Sequence, residues 1–114
     1  MDDVASVLDL SRASAVALVA DLEADLAAIG ESTAASPDDE HDPEGSTVGF
    51  ERARVAALLA QARRSLAEID EALERRRRGS YGVCGRCGTI IPPERLEAMP
   101  TASLCVACAA TPRR

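Results

Sequence analysis

The sequence predicts a mainly α chain: a long antiparallel coiled-coil hairpin, followed by a small four-cysteine module with a short C-terminal helix. Three observations carry this expectation. Apolar residues recur at helical spacing through two long alanine- and leucine-rich stretches, separated by polar sequence. Aromatic residues make up only 2% of the chain and there is no Trp, so apolar burial must come from closely approaching helices rather than from large rings. Four cysteines stand near the C-terminus as two C-x-x-C pairs. A chain of 114 residues is expected to form one compact unit, with at most an appendage.

The first helix is expected over residues 3–35. Val4, Leu8, Ala15, Leu18, Leu22, Leu26 and Ile29 recur at steps of three, four or seven, with acids between them. Gly30 weakens the pattern, and Pro37 ends it, because the residue before a proline is pushed out of the helical region. The second helix starts between Pro43 and Phe50 and runs to about Arg78. Its seam of Val55, Leu59, Ala62, Leu66, Ile69 and Leu73 alternates steps of four and three, the heptad pattern. Arg75, Arg76, Arg77 and Arg78 fall on its last turn, where cations complement the helix dipole, and Gly79 is a natural stop. Two such helices joined by a short polar segment read as an antiparallel hairpin, with Leu22 near Leu59 and Leu18 near Leu66 or Ala62. Two helices from separate chains of a dimer are the alternative; the short connection favours reversal within one chain.

The hairpin tip, at about 36–47, contains "DDEHDPEG" from Asp38 to Gly45. Charge runs of this kind are ordinarily solvated. Asp42 also has an ordinary use as a helix N-cap before Pro43 at the first helical position, which leaves Asp39 free to act, with Asp38 and Glu40 as additional candidates beside it. His41 reads as a solvated side chain beside acids. The charge is unevenly spread: residues 1–50 hold twelve Asp or Glu against Arg12 alone, whereas residues 51–114 hold seven acids and twelve Arg. An acidic half does not suit duplex DNA, whose phosphates require a continuous basic surface. It suits a basic protein surface or a bound cation better. No apolar run approaches the roughly 20 residues that span a bilayer. The acidic start Met1-Asp2-Asp3 is unlike a secretory signal, so a cytoplasmic location and no membrane partner are expected.

Cys84-x-x-Cys87 and Cys105-x-x-Cys108 have the spacing of a metal site rather than of a disulfide framework. A two-residue gap lets both sulfurs of a pair face one ion. Gly85 and Gly88 are expected to supply the permissive backbone of the first knuckle. Two such pairs make a closed tetrahedral thiolate site, the usual structural zinc arrangement, with one Zn2+ per chain. Iron in an electron-transfer site is the alternative ion. Within this zinc-finger module a short helix is expected over Pro93–Ala98, and the second knuckle should open a final turn or two through Ala109 and Ala110. The expected divisions are a hairpin over 1–78, a zinc module over 79–110 and a tail over 111–114. No constellation of nucleophile, base and orienting group is visible, and no glycine-rich phosphate loop, so an enzyme is not expected.

Gly79, Tyr81, Gly82, Cys84, Cys87, Gly88, Ile91, Arg95, Leu96, Ala98, Pro100, Cys105 and Cys108 together resemble the zinc-finger signature of the DksA/TraR family. The resemblance implies a bacterial transcription regulator that binds RNA polymerase, as core or holoenzyme, rather than DNA, and in several members acts jointly with ppGpp. In that family the hairpin enters the polymerase secondary channel, and acids at its tip act near the catalytic magnesium. Carried onto this chain, Asp39-Glu40-His41-Asp42 keeps the D-x-x-D spacing of the family tip, with Glu44 where that pattern has alanine. Asp38, Asp39 and Asp42 are the tip residues expected to meet the partner; Arg75, Arg76, Arg77, Arg78 and Arg95 are further candidates, with Arg86. A monomer is expected. The alternative function is a zinc-stapled coiled-coil adaptor for another protein partner.

Overall fold

The computed structural model describes residues 2–35 and 43–112. It is mainly α: α1 spans Asp2–Ala35, α2 Pro43–Arg78, α3 Pro93–Ala98 and α4 Val106–Ala110. Among the described residues the β structure is a single antiparallel bridge, Val83 with Ile90. The acids Asp38, Asp39, Glu40 and Asp42 and the neighbouring His41 lie outside the described residues. Pro43 does open α2, as its missing N–H and fixed φ favour. No described helix is long and apolar enough to cross a membrane.

Contacts divide the chain into two compact units, Met1–Ala13 with Ala67–Arg114, and Ser14–Leu66. In the second of these, α1 and α2 run antiparallel. Glu23 meets Arg63 at 2.7 Å, and a side chain at Gly30 would lie 3.4 Å from the Arg52 guanidinium. Leu22, Val55, Leu59 and Ala62 form its buried cluster, with Val19, Leu26 and Ile29 packed against them. The expected pairing of Leu22 with Leu59 is therefore present. The α1 stripe needs one correction, however. Leu18 is 50% exposed, and Val19 takes the packed position. Ala15, Val19, Leu22, Leu26 and Ile29 step by four and three as the α2 seam does, whereas Leu18 lies one residue, about 100° of helix turn, off that line. Leu18 instead borders an open apolar groove of about 260 Å³ with Ala15, Leu22, Leu58 and Ala62.

In the other unit the Arg12 guanidinium meets the Asp70 carboxylate at 2.6 Å between α1 and α2. Leu8 and Ala72 are wholly buried and Ile69 nearly so. Small residues at such positions let two helices approach closely, which is how a chain almost without aromatic rings builds a core. Of the expected α2 seam, Val55, Leu59, Ala62 and Ile69 are buried, while Leu66 and Leu73 are half-buried. The end of α2 is a Schellman cap. Gly79 adopts φ +81°, its N–H donates to Arg76 O at 3.1 Å, and Ser80 N–H donates to Arg75 O at 2.8 Å.

Candidate metal centre

The module after Gly79 is built around two knuckles. The first is a tight reversal over 82–91. Cys84 N–H donates to Thr89 O and Ile91 N–H to Gly82 O, both at 2.8 Å, while Gly88 N–H returns to Cys84 O at 3.0 Å. Gly82 (φ +84°) and Gly88 (φ +78°) take the left-handed conformations this reversal demands. Gly85 does not. It has no positive φ, and its use is an N–H donated to Ser103 O at 2.8 Å, which joins the first knuckle to the second. The second knuckle opens α4: the Cys105 side chain accepts from Cys108 N–H, and Ala109 N–H donates to Cys105 O.

These elements bring the sulfurs of Cys84, Cys87, Cys105 and Cys108 within 4.8 Å of one another. The Sγ atoms of Cys87 and Cys105 are 3.7 Å apart. A tetrahedron with Zn–S bonds of about 2.3 Å has edges of about 3.8 Å, so the donor set fits a single tetrahedral thiolate-bound ion. Cys84 is buried and Cys87 exposed. The backbone N–H groups of Cys87 and then Cys105 aim at the Cys84 sulfur and bring its pKa down to about 5. The Cys105 thiol is lowered chiefly by the Cys108 N–H. The Cys108 thiol is pushed up to about 12, first by its hydrogen bond with the Cys105 sulfur and then by burial. Sulfurs this close cannot all ionise without a cation among them, so four thiolates together imply a bound metal. Such a site is closed: it supplies folding energy and leaves no position open for a substrate.

The other expected residues have varied surroundings. The Arg95 guanidinium donates through Nε to Leu104 O at 3.0 Å, and Arg75 donates to Thr101 O at 3.3 Å. The Tyr81 hydroxyl donates to Pro100 O at 2.8 Å, and burial raises its pKa, which keeps it a donor. Three side chains thus hold the carbonyls of the 100–104 loop that leads into the second knuckle. Arg77 and Arg78 both pair with Glu74, whose carboxyl they hold below its usual range. Arg76 is exposed and makes no ion pair among the described residues. Thr89, not singled out in the sequence, places its hydroxyl 2.9 Å from the Cys87 sulfur. Thr111 is held by hydrogen bonds to Cys108 O and Ala107 O. Arg113 and Arg114 lie outside the described residues.

Residues 79–112 match the prokaryotic dksA/traR C4-type zinc-finger family. The chain carries a DksA/TraR zinc finger. Its likeness to transcription factor DksA2 from Pseudomonas aeruginosa extends beyond the finger, covering 90% of this chain and 79% of that one at 28% identity, with a TM-score of 0.57. The chain is also similar to an uncharacterized protein of Aquifex aeolicus strain VF5, 51% identical over 45 residues, 40% of this chain. To general stress protein 16O of Bacillus subtilis strain 168 it is 37% identical over 68 residues, 60% of this chain. These matches span 31% and 42% of the lengths of those two relatives. The DksA/TraR resemblance carried by the cysteine signature is thus supported by both the finger and the fold, and one structural Zn2+ is the cofactor this site fits.

Proposed function

We propose that this protein is a bacterial transcription regulator that binds RNA polymerase through its secondary channel and modulates initiation. The observation that carries the reading is the joint one. A DksA/TraR finger follows two long helices in a chain whose fold is similar, over 90% of its length, to a transcription factor. On this reading the functional divisions are the hairpin over 1–78, the zinc module over 79–110 and the tail over 111–114. The acids Asp38, Asp39 and Asp42 occupy the connection between the helices. A carboxylate delivered to the polymerase active centre can meet basic groups or perturb magnesium and its ligands, because the metal is the largest local charge there. Exposed Arg76 is available to a polymerase surface, whereas Arg75 and Arg95 would act there by holding the 100–104 loop. The protein works in the cytoplasm as a non-enzymatic monomer without contacting specific DNA sequence, and ppGpp is a partner only jointly with polymerase.

The test is retention on immobilised core polymerase, with and without a competitor that occupies the secondary channel. Binding that the competitor displaces is expected. Binding to core polymerase that the competitor leaves untouched overturns the channel, and no binding overturns the polymerase reading in favour of an adaptor for another protein.

A further inference from the structure

Arg86 stands in the gap of the first knuckle, between Cys84 and Cys87. Arg86 is exposed, yet its guanidinium is tied to backbone carbonyls of the second knuckle. Nη1 donates to Cys108 O at 2.8 Å and to Thr111 O at 2.9 Å, carbonyls 22 and 25 residues away at the end of α4. Thr111 is the C-cap of α4, and the Cys108 carbonyl, which already accepts the Thr111 N–H, takes Arg86 on its second lone pair; a cation is also favoured at this end by the helix dipole. At five residues, α4 is far too short to be stable on its own.

The two knuckles are unequally supported. The first is closed by its own backbone bonds, the Val83–Ile90 bridge and two left-handed glycines. The second has Cys105 and Cys108 on a single helical turn. Outside the sulfurs, its bonds to the first knuckle run from Gly85 N–H to Ser103 O and from Arg86 to the end of α4. The Gly85 bond holds the chain ahead of Cys105. The Arg86 bonds hold it at Cys108 itself and beyond.

We propose that Arg86 is a positioning residue for the metal, clamping α4 from the first knuckle so that Cys105 and Cys108 are held in ligating geometry. The clamp lets one pair of ligands arrange the other, so that less of the ordering has to be driven by metal binding. Outer partners that orient ligands alter metal affinity by about 10–100-fold. Arg86 reaches the Cys108 carbonyl rather than its sulfur, so its effect should fall on the second pair and spare the first. None of this rests on the polymerase reading.

The experiment uses the full chain with Arg86→Ala and Arg86→Lys. Zinc affinity is measured by competition with a chromogenic chelator, and Co2+ serves as a spectroscopic probe of tetrahedral thiolate ligation. Arg86→Ala is expected to weaken zinc binding by about 10–100-fold while keeping the tetrathiolate Co2+ bands at saturating metal. Arg86→Lys, which retains charge and donors, is expected to recover much of that loss. With zinc limiting, the labelling of Cys105 and Cys108 by an alkylating agent relative to Cys84 and Cys87 should rise in Arg86→Ala compared with wild type under the same conditions. Zinc affinity in Arg86→Ala within about twofold of wild type would overturn the proposal, as would a labelling ratio unchanged from wild type. If Arg86→Ala fails to fold even at saturating zinc, Arg86→Lys decides. Recovered affinity with a labelling ratio near that of wild type supports the clamp, and loss of the Co2+ bands in Arg86→Lys too makes Arg86 a packing residue only.

Discussion

Two glycines, each directly after a cysteine of the first knuckle, have different jobs. Gly88 sits at φ +78°, a conformation that costs a residue with a Cβ about 1–2 kcal/mol, although nothing stands within 4 Å of where that Cβ would go. Gly85 has no such φ, and its Cβ would lie at an ordinary 3.6 Å from Ser103 O. Gly88→Ala is therefore expected to lower the stability of the zinc-loaded module by about 1–2 kcal/mol, and Gly85→Ala by clearly less. Thermal unfolding of both variants in saturating zinc checks the order. If Gly85→Ala is the more damaging, the left-handed turn is not the constraint on this knuckle. At the same scale, Tyr81→Phe removes the hydroxyl held by Pro100 O, a bond worth about 0.5–1.5 kcal/mol.

At the scale of the helices, what matters is which side of the stripe a leucine occupies. Leu59 is buried in the cluster with Leu22, Val55 and Ala62, whereas Leu18 borders the open groove. Leu59→Ala should cost about 2–5 kcal/mol through lost burial and the cavity left behind. Leu18→Ala, half-exposed, should cost about 0.5 kcal/mol or less. Urea unfolding followed by far-UV circular dichroism separates the two; equal costs would place Leu18 in the seam and overturn the register described above. The ion pairs Arg12–Asp70 and Glu23–Arg63 join the same two helices but are about half exposed. They are screened by salt and contribute less than about 1 kcal/mol each, so the seam, not the charges, holds α1 to α2.

For the molecule as a whole, the metal and the long helices stabilise different residues. The segment 79–112 contains Cys84, Ile91 and Ala102 as its buried apolar residues, too few to hold it folded alone. Chelation of zinc, or Cys87→Ser, is expected to disorder residues 80–110 while most of the helical signal of α1 and α2 persists. Hydrogen exchange resolved along the chain measures this, and a module that stays protected without metal would exclude a structural role for the ion. The acids belong to the same scale, since twelve of the nineteen fall in the first fifty residues. If the tip acts on polymerase, Asp39→Asn should bind core enzyme like wild type yet lose its effect on promoter-complex lifetime at matched occupancy. A mutant with unchanged effect would reduce the acidic run to a solvated turn.

Periodicity and punctuation determined much of this protein. The α2 seam, its arginine-rich last turn, the Gly79 stop, the Pro93–Ala98 helix and the two C-x-x-C pairs were all legible, because each depends on residues a few positions apart along one backbone. The acidic connection was equally legible as composition, but its chemistry needs a partner. What tertiary structure alone decided is what depends on distance in space. Leu18 and Val19 are equally apolar, and only the approach of α2 selects Val19 for the packed position. Gly85 and Gly88 are the same residue, and only the fold makes one a left-handed turn and the other a donor to Ser103. Arg75, Arg86 and Arg95 read as exposed cations, yet they donate to carbonyls 26, 22 and 9 residues away. A long flexible side chain carries no local pattern that says where its charged end will settle. Its hydrogen bonds are set only once the helices and knuckles have brought those carbonyls within reach.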